Sequence, residues 1–287
     1  MSLAVRIIPR MDIKGSNLVK GMHLEGLRVL GKPEIFAKHY YQQGADELFF
    51  QDVVASLYGR NSLHEIIKRT AKEISIPLTV GGGIRSLENI KCILRSGADK
   101  VAINTAAIEE PTLISKAAKM FGSSTIVVAI EAIQQADGGY IAYTDNGRNS
   151  SGLDVFMWAK KVEELGAGEL VLTSVDREGS GKGADLSLLS KVASLLSIPV
   201  IAHGGIGKKS DVLDVFNVEK INATAVSSMF HYEYVLANKE NESYKEEGNI
   251  EFLRNKRQMS LFEPASILDT KKFLIKNNIH CRKVSNS

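Results

Sequence analysis

The sequence predicts a (β/α)8 barrel assembled from two similar half-barrels. Three observations lead there. Short apolar runs alternate with amphipathic segments about eight times. A block of the first half recurs, in order, in the second. Glycines cluster where apolar runs end, as in Gly81-Gly82-Gly83 and Gly204-Gly205. A strand, helix, strand, helix order implies a parallel sheet covered by helices, and an eightfold series closes naturally as a barrel of about 250 residues. The rival is an open doubly wound sheet, which gives no reason for a half-chain repeat.

The candidate strands are 6–12, 47–52, 78–82, 100–104, 126–131, 169–173, 199–203 and 223–228, each rich in Val, Ile, Leu or Phe. Near-continuous apolar runs of this length fit strands buried on both faces. Segments 33–43, 62–73, 87–96, 112–121, 154–165, 185–196 and 210–216 carry the helical period between them. The repeat aligns Ser75-Ile76-Pro77-Leu78-Thr79-Val80-Gly81-Gly82-Gly83-Ile84 with Ser197-Ile198-Pro199-Val200-Ile201-Ala202-His203-Gly204-Gly205-Ile206. At the same offset Gly44-Ala45-Asp46-Glu47-Leu48 meets Gly166-Ala167-Gly168-Glu169-Leu170. The whole chain, 1–287, then reads as one barrel domain with two additions. Residues 138–146 look like a hairpin inserted after the fifth strand. Residues 233–260 form a charge-rich excursion after the eighth, before a last helix near 264–277.

Composition narrows the function. A hydrophobic fraction of 44% with 24% charged residues is that of a globular protein, not of a disordered or fibrous one. A net charge of only +3 demands neither nucleic acid nor a membrane surface as partner. The two cysteines, Cys92 and Cys281, lie far apart and make no metal or disulfide framework, which points to the cytoplasm. No apolar run approaches the roughly 20 residues of a membrane span, and residues 1–8 lack a signal-peptide pattern. No metal-ligand spacing, nucleophile elbow or dinucleotide-binding glycine pattern is present, so neither metal nor cofactor is expected.

The chemistry of a barrel gathers where its strands end. Asp12 closes the first strand and Glu131 the fifth, which the repeat places opposite one another across one mouth. Two carboxylates so placed suit general acid and base, provided their environments separate their proton affinities. Gly82 and Gly83, with Asn104 and Thr105, end strands three and four; Gly204 and Gly205, with Ser227 and Ser228, end strands seven and eight. Glycine lets backbone N–H groups approach an anion, and small polar side chains add donors. Thr173, ending strand six, joins this set. Two matched anion grips imply an elongated substrate with a phosphate at each end. Lys20, in the long loop after strand one, is placed to reach toward the pocket. At the opposite strand ends, Arg6, Glu47, Lys100 and Glu169 supply two positive and two negative groups aimed at the barrel floor. Unpaired buried charge is costly, so a paired ring is one way to accommodate them.

These residues together resemble the cyclase subunit of imidazole glycerol phosphate synthase, of histidine biosynthesis. The resemblance spans about 5–232 and the last helix. It rests on Arg6-Ile7-Ile8-Pro9 with Asp12, Val19-Lys20-Gly21, Gly44-Ala45-Asp46-Glu47, Pro77 through Ser86, Gly97-Ala98-Asp99-Lys100-Val101, 164–169, and Phe230-His231-Tyr232. It implies an enzyme that takes a bisphosphorylated aminoimidazole-carboxamide ribonucleotide with a ketone-bearing ribulosyl arm. Such enzymes add ammonia, cleave the molecule and close an imidazole ring, yielding imidazole glycerol phosphate and aminoimidazole carboxamide ribotide. The resemblance also implies a separate glutaminase on the barrel floor, with ammonia passing through the barrel. On it, Asp12 matches a catalytic aspartate, Lys20 a substrate-loop lysine, and Arg6, Glu47, Lys100 and Glu169 the floor gate. Asp99 matches a glutaminase contact.

Four positions depart from the pattern. Glu131 stands where the family has aspartate, Arg10 where it has a small cysteine-like residue, Glu178 where it prefers aspartate, and His203 where a small serine is usual. An altered mouth over a preserved floor gives an alternative expectation. The chain would then be a cyclase-like subunit delivering ammonia to a sugar amidotransferase, which forms an acetamidino sugar for surface polysaccharide.

Overall fold

The computed structural model describes residues 3–55, 63–238 and 261–283. Eight parallel strands close on themselves around one axis. They are β1 (Arg6–Lys14), β4 (Leu48–Asp52), β5 (Leu78–Gly81), β6 (Lys100–Ile103), β7 (Ile126–Gln134), β10 (Glu169–Ser174), β11 (Val200–His203) and β12 (Ala223–Val226). Closure comes from β12 pairing with β1 in the register Arg6 to Ala223, and from β7 pairing with β10 in the register Glu131 to Thr173. The remaining strands are antiparallel additions at the mouth: β2 (Asn17–Met22), β3 (Glu25–Gly31), β8 (Tyr140–Thr144) and β9 (Asn149–Asp154).

Alternation along each strand divides the core. Ile8, Phe49, Ala102, Val127, Val171, Ile201, Ala223 and Ala225 fill the interior of the barrel. The other face of the same strands packs beneath the helices, as with Ile7, Met11, Phe50, Val80, Val128 and Leu172. Each fully buried side chain of this size contributes about 1.5–3 kcal/mol, which is why the apolar runs are uninterrupted. Four of the described helices begin where the sequence supplies an acceptor. Ser86 accepts from the Asn89 N–H, Asp154 from those of Phe156 and Met157, Asp185 from that of Leu188, and Ser266 from that of Asp269. Each such cap is worth about 1 kcal/mol.

Two expectations change at the mouth. The long loop after the first strand is a β-hairpin, β2 with β3, and Lys20 lies on its first strand. The sequence hides it because the reversal uses His23 and Leu24, both in the left-handed region at φ 49° and 64°, rather than glycine or asparagine. Tertiary bonds hold that turn: the Leu24 N–H donates to Glu178 Oε2 at 3.0 Å, and Asn146 Nδ2 donates to the Leu24 carbonyl at 3.0 Å. The residues expected as a hairpin at 138–146 mainly form β8, the middle strand of a three-strand meander from an extended β7 to β9. Of the excursion expected at 233–260, residues 233–237 continue the helix Ser228–Ala237, and 239–260 lie outside the described residues.

The floor end is clamped by the C-terminal segment. Lys271, buried on the last helix Ile267–Lys276, pairs with Asp46 Oδ1 at 2.8 Å. Arg282 joins the same oxygen at 2.9 Å, and Asp46 Oδ2 accepts the Ile7 N–H at 2.9 Å. Asp99 repeats part of this device, its Oδ2 accepting the Leu78 N–H at 2.9 Å. Removing one partner of a buried pair strands the other charge, at about 3 kcal/mol or more. Asp46→Ala is therefore expected to lower unfolding free energy by about 3 kcal/mol in urea titrations. Lys271→Met should cost less, because Asp46 keeps Arg282.

Candidate active site

Asp12 and Glu131 stand on β1 and β7, four strands apart around the eight-stranded ring, so they face each other across the mouth. Both are buried. Their partners differ. Asp12 Oδ1 accepts from Arg10 Nε at 3.1 Å. Among the described residues Glu131 Oε2 accepts only a backbone donor, the Gly147 N–H at 2.8 Å, from the turn between β8 and β9. Burial pushes the Glu131 carboxyl up to about 7, with Asp145 and Asp12 adding repulsion; Arg10 and the Gly147 N–H oppose this without cancelling it. A carboxyl in that range exchanges protons near neutrality, which general acid–base work requires.

The two anion grips are matched in backbone and unequal in surroundings. Gly82 and Gly204 take φ of 100° and 103°, and a Cβ at either would collide with the preceding strand's terminal carbonyl, Asp52 O at 2.2 Å or Ser174 O at 2.6 Å. Only glycine fits such a position. The grip at strands three and four opens into a cleft shared with Arg10, Arg85, Thr105 and Glu131. The grip at strands seven and eight lines a smaller recess with Glu178, His203, Ser227 and Ser228. Several of the polar side chains are engaged by the fold. Asn104 Nδ2 donates to the Tyr143 carbonyl at 3.1 Å, Thr105 Oγ1 accepts the Asp145 N–H at 3.2 Å, and Ser227 Oγ donates to the Arg10 carbonyl at 2.9 Å.

Lys20 does not project freely over the pocket. It is buried against Glu178, whose second oxygen holds the β2–β3 turn. Burial alone would lower the Lys20 ammonium, but the Glu178 and Asp12 charges outweigh it and raise it. Glu178 thus serves two bonds at once, and the extra methylene relative to aspartate extends its reach to them.

Arg10 and His203, set apart in the sequence only as departures from a family pattern, occupy the centre of the mouth. Arg10 Nη1 approaches His203 Nδ1 at 3.1 Å and Thr173 Oγ1 at 3.4 Å, and its guanidinium lies over the Phe49 ring, 5.7 Å from the centroid. Burial, with Arg10 and Lys20 nearby, drives the His203 ring well below its ordinary range. A guanidinium only donates, so Nδ1 accepts and the neutral ring carries its proton on Nε2. The available signal for Arg10 was its period-two spacing from Arg6, Ile8 and Asp12, all inward-facing on β1. Gln51, Arg85 and Asn146 also line the cleft and carried no such signal.

At the far end of the axis the four expected charges meet. Arg6 Nη1 binds Glu47 Oε1 at 2.7 Å and Arg6 Nη2 binds Glu169 Oε1. Lys100 Nζ binds Glu47 Oε2 at 2.9 Å and Glu169 Oε2 at 3.0 Å. Each cation bridges both glutamates, closing a ring across the floor. Asp99 lies beside it, exposed and bonded to β5.

The model of the family described as histidine biosynthesis protein matches residues 6–235. The chain belongs to that family. Among curated relatives, a Legionella pneumophila imidazole glycerol phosphate synthase subunit HisF is 58% identical over 213 residues, 74% of this chain and 99% of that protein. The protein of the same name from Lactococcus lactis subsp. lactis is 50% identical over 231 residues, 80% of this chain and 89% of the relative. That from Saccharolobus solfataricus is 45% identical over 246 residues, 86% and 97% of the two chains. These relatives lend no support to the expected alternative, delivery of ammonia to a sugar amidotransferase.

Glu131 links proton binding to stability. Its proton is held more tightly in the folded chain, so the folded state is favoured while Glu131 is protonated. That advantage is lost as pH rises from about 4.5 through about 7. Wild type should therefore lose roughly 3 kcal/mol relative to Glu131→Gln between about pH 4.5 and pH 8.5, measured by urea unfolding at both ends.

Proposed function

We propose that this chain is the ammonia-dependent cyclase and lyase subunit of imidazole glycerol phosphate synthase, working in the cytoplasm. It converts the bisphosphorylated ribulosyl aminoimidazole-carboxamide nucleotide to imidazole glycerol phosphate and aminoimidazole carboxamide ribotide. One juxtaposition carries the reading: opposed carboxylates between two glycine grips at the mouth, above a closed ring of paired charge on the floor of the same barrel. The names of the relatives support it.

In this reading the grips at Gly82-Gly83 and Gly204-Gly205 take one phosphate each, helped by Thr105 and Ser228. The reacting middle of the substrate then lies between Asp12 and Glu131. Thr173 borders that middle, and Lys20, held by Glu178 on the hairpin, lends positive charge beside Asp12. Glu131, titrating near neutrality, moves protons during addition and ring closure. Ammonia enters from a glutaminase docked on the floor beside Asp99. The ring of Arg6, Glu47, Lys100 and Glu169 gates its path, keeping water and ions out of the apolar bore.

The isolated chain should turn over the ribulosyl substrate with an ammonium salt at mildly alkaline pH. No turnover under those conditions overturns the reading. Asp12→Asn and Glu131→Gln should each lower kcat by about 100-fold or more, the scale of a lost acid–base group. Lys100→Met should lower glutamine-driven turnover of the glutaminase complex while sparing ammonia-driven turnover, measured side by side on one preparation.

A further inference from the structure

Arg10 lies two residues nearer the floor than Asp12, at the top of the apolar bore. Its side chain is 4% exposed. Nε is taken by Asp12, and Nη1 by His203 and Thr173. Nη2 has no hydrogen-bond partner among the described residues, and Arg10 lines the cleft that also holds Glu131 and the grip at strands three and four. The Nη2 edge is not sealed from the cleft, so this guanidinium keeps a donor free for whatever binds there.

We propose that Arg10 is a further catalytic residue, whose Nη2 edge donates to the ketone oxygen of the substrate as ammonia adds to the carbonyl carbon. This deepens the cyclase reading and rests on it. The phosphates are taken by backbone at the strand ends, at the periphery of the mouth. What meets Arg10 is the middle of the ligand, at the point where the bore opens from below. In the addition step the nitrogen lone pair forms the C–N bond and the C=O π pair moves to oxygen. The guanidinium stabilises that oxygen, which takes a proton from Glu131. The proton shed by the attacking nitrogen returns to Glu131, so the step needs no other reactant. Arg10 itself gives up no proton.

The surroundings fit a fixed donor. Asp12, the Phe49 face and a neutral His203 hold the guanidinium from three sides before substrate arrives. A donor oriented in advance and shielded from water is the arrangement that lowers the barrier to forming an oxyanion. His203 accepts from Arg10 and adds no competing charge, and a serine at that position would be shorter. His203 is thus a positioning residue for Arg10.

Steady-state kinetics at saturating ammonium, with the full-length chain, test this. Arg10→Ala should lower kcat about 100-fold, the effect of one oxyanion donor, with KM changed less than about threefold. Low concentrations of guanidinium chloride should restore part of the Arg10→Ala rate and leave the wild-type rate without a gain. Arg10→Lys, which keeps the charge, should fall between the two, and it decides the matter if Arg10→Ala proves unstable in a thermal melt. A rise in KM at unchanged kcat would make Arg10 a phosphate contact and overturn the proposal. An unchanged or increased kcat would make it an obstruction, which overturns the proposal equally. A wild-type chain inert toward substrate and ammonium overturns the underlying reading, an outcome visible without any variant.

Discussion

Closure of eight parallel strands into one ring constrains everything else in this molecule. Once β12 pairs with β1, every second residue of every strand points at a common axis, and the axis acquires levels. Arg6, Glu47, Lys100 and Glu169 form the lowest level, and Ile8, Phe49, Val171 and Ile201 the apolar middle. Arg10 with Thr173 and His203 forms the next, and Asp12 stands two residues above Arg10 on the same strand. A change of register by one residue would turn these groups out among the helices. The chemistry therefore depends on strand pairing as directly as the stability does.

The levels differ in how they settle their charge. On the floor each cation is shared between two carboxylates, so the ring is self-contained. At the mouth the settlement is uneven. Among the described residues Asp12 has a cation and Glu131 a single backbone donor, which is why burial governs the Glu131 proton. Lys20 and Glu178 neutralise each other below the hairpin, and Glu178 also secures the hairpin's turn. One buried carboxylate thus ties the strand that bears Lys20 to the loop after β10.

Arg10, His203 and Glu178, three of the positions set apart by the resemblance, enter two bonded groups at the mouth. Arg10 reaches His203, and Glu178 holds Lys20 and Leu24. An arginine in place of a small residue needs an acceptor across the axis, and His203 together with Thr173 supplies it. The long side chains fill the middle of the mouth between two grips whose glycines, Gly82 and Gly204, take matching φ of 100° and 103°.

Much of this was legible in the residues alone. Uninterrupted apolar runs, the recurring Ile-Pro strand and its terminal glycines determined the barrel, its halves and the strand ends, because burial on both faces and positive φ each restrict residue type severely. Asp12, Glu131 and the floor charges could be named by their place at the two ends of apolar runs, although β1 and β7 continue past the first two to Lys14 and Gln134. The hairpin carrying Lys20 could not, since its turn uses His23 and Leu24 and is held by Glu178 and Asn146 from distant segments. Nor could two partners of Arg10, Thr173 on β10 and His203 on β11, or the unequal footing of the two carboxylates. Local patterns record what a residue needs from its own element. Which distant charge or donor it meets is set by the closure of the ring.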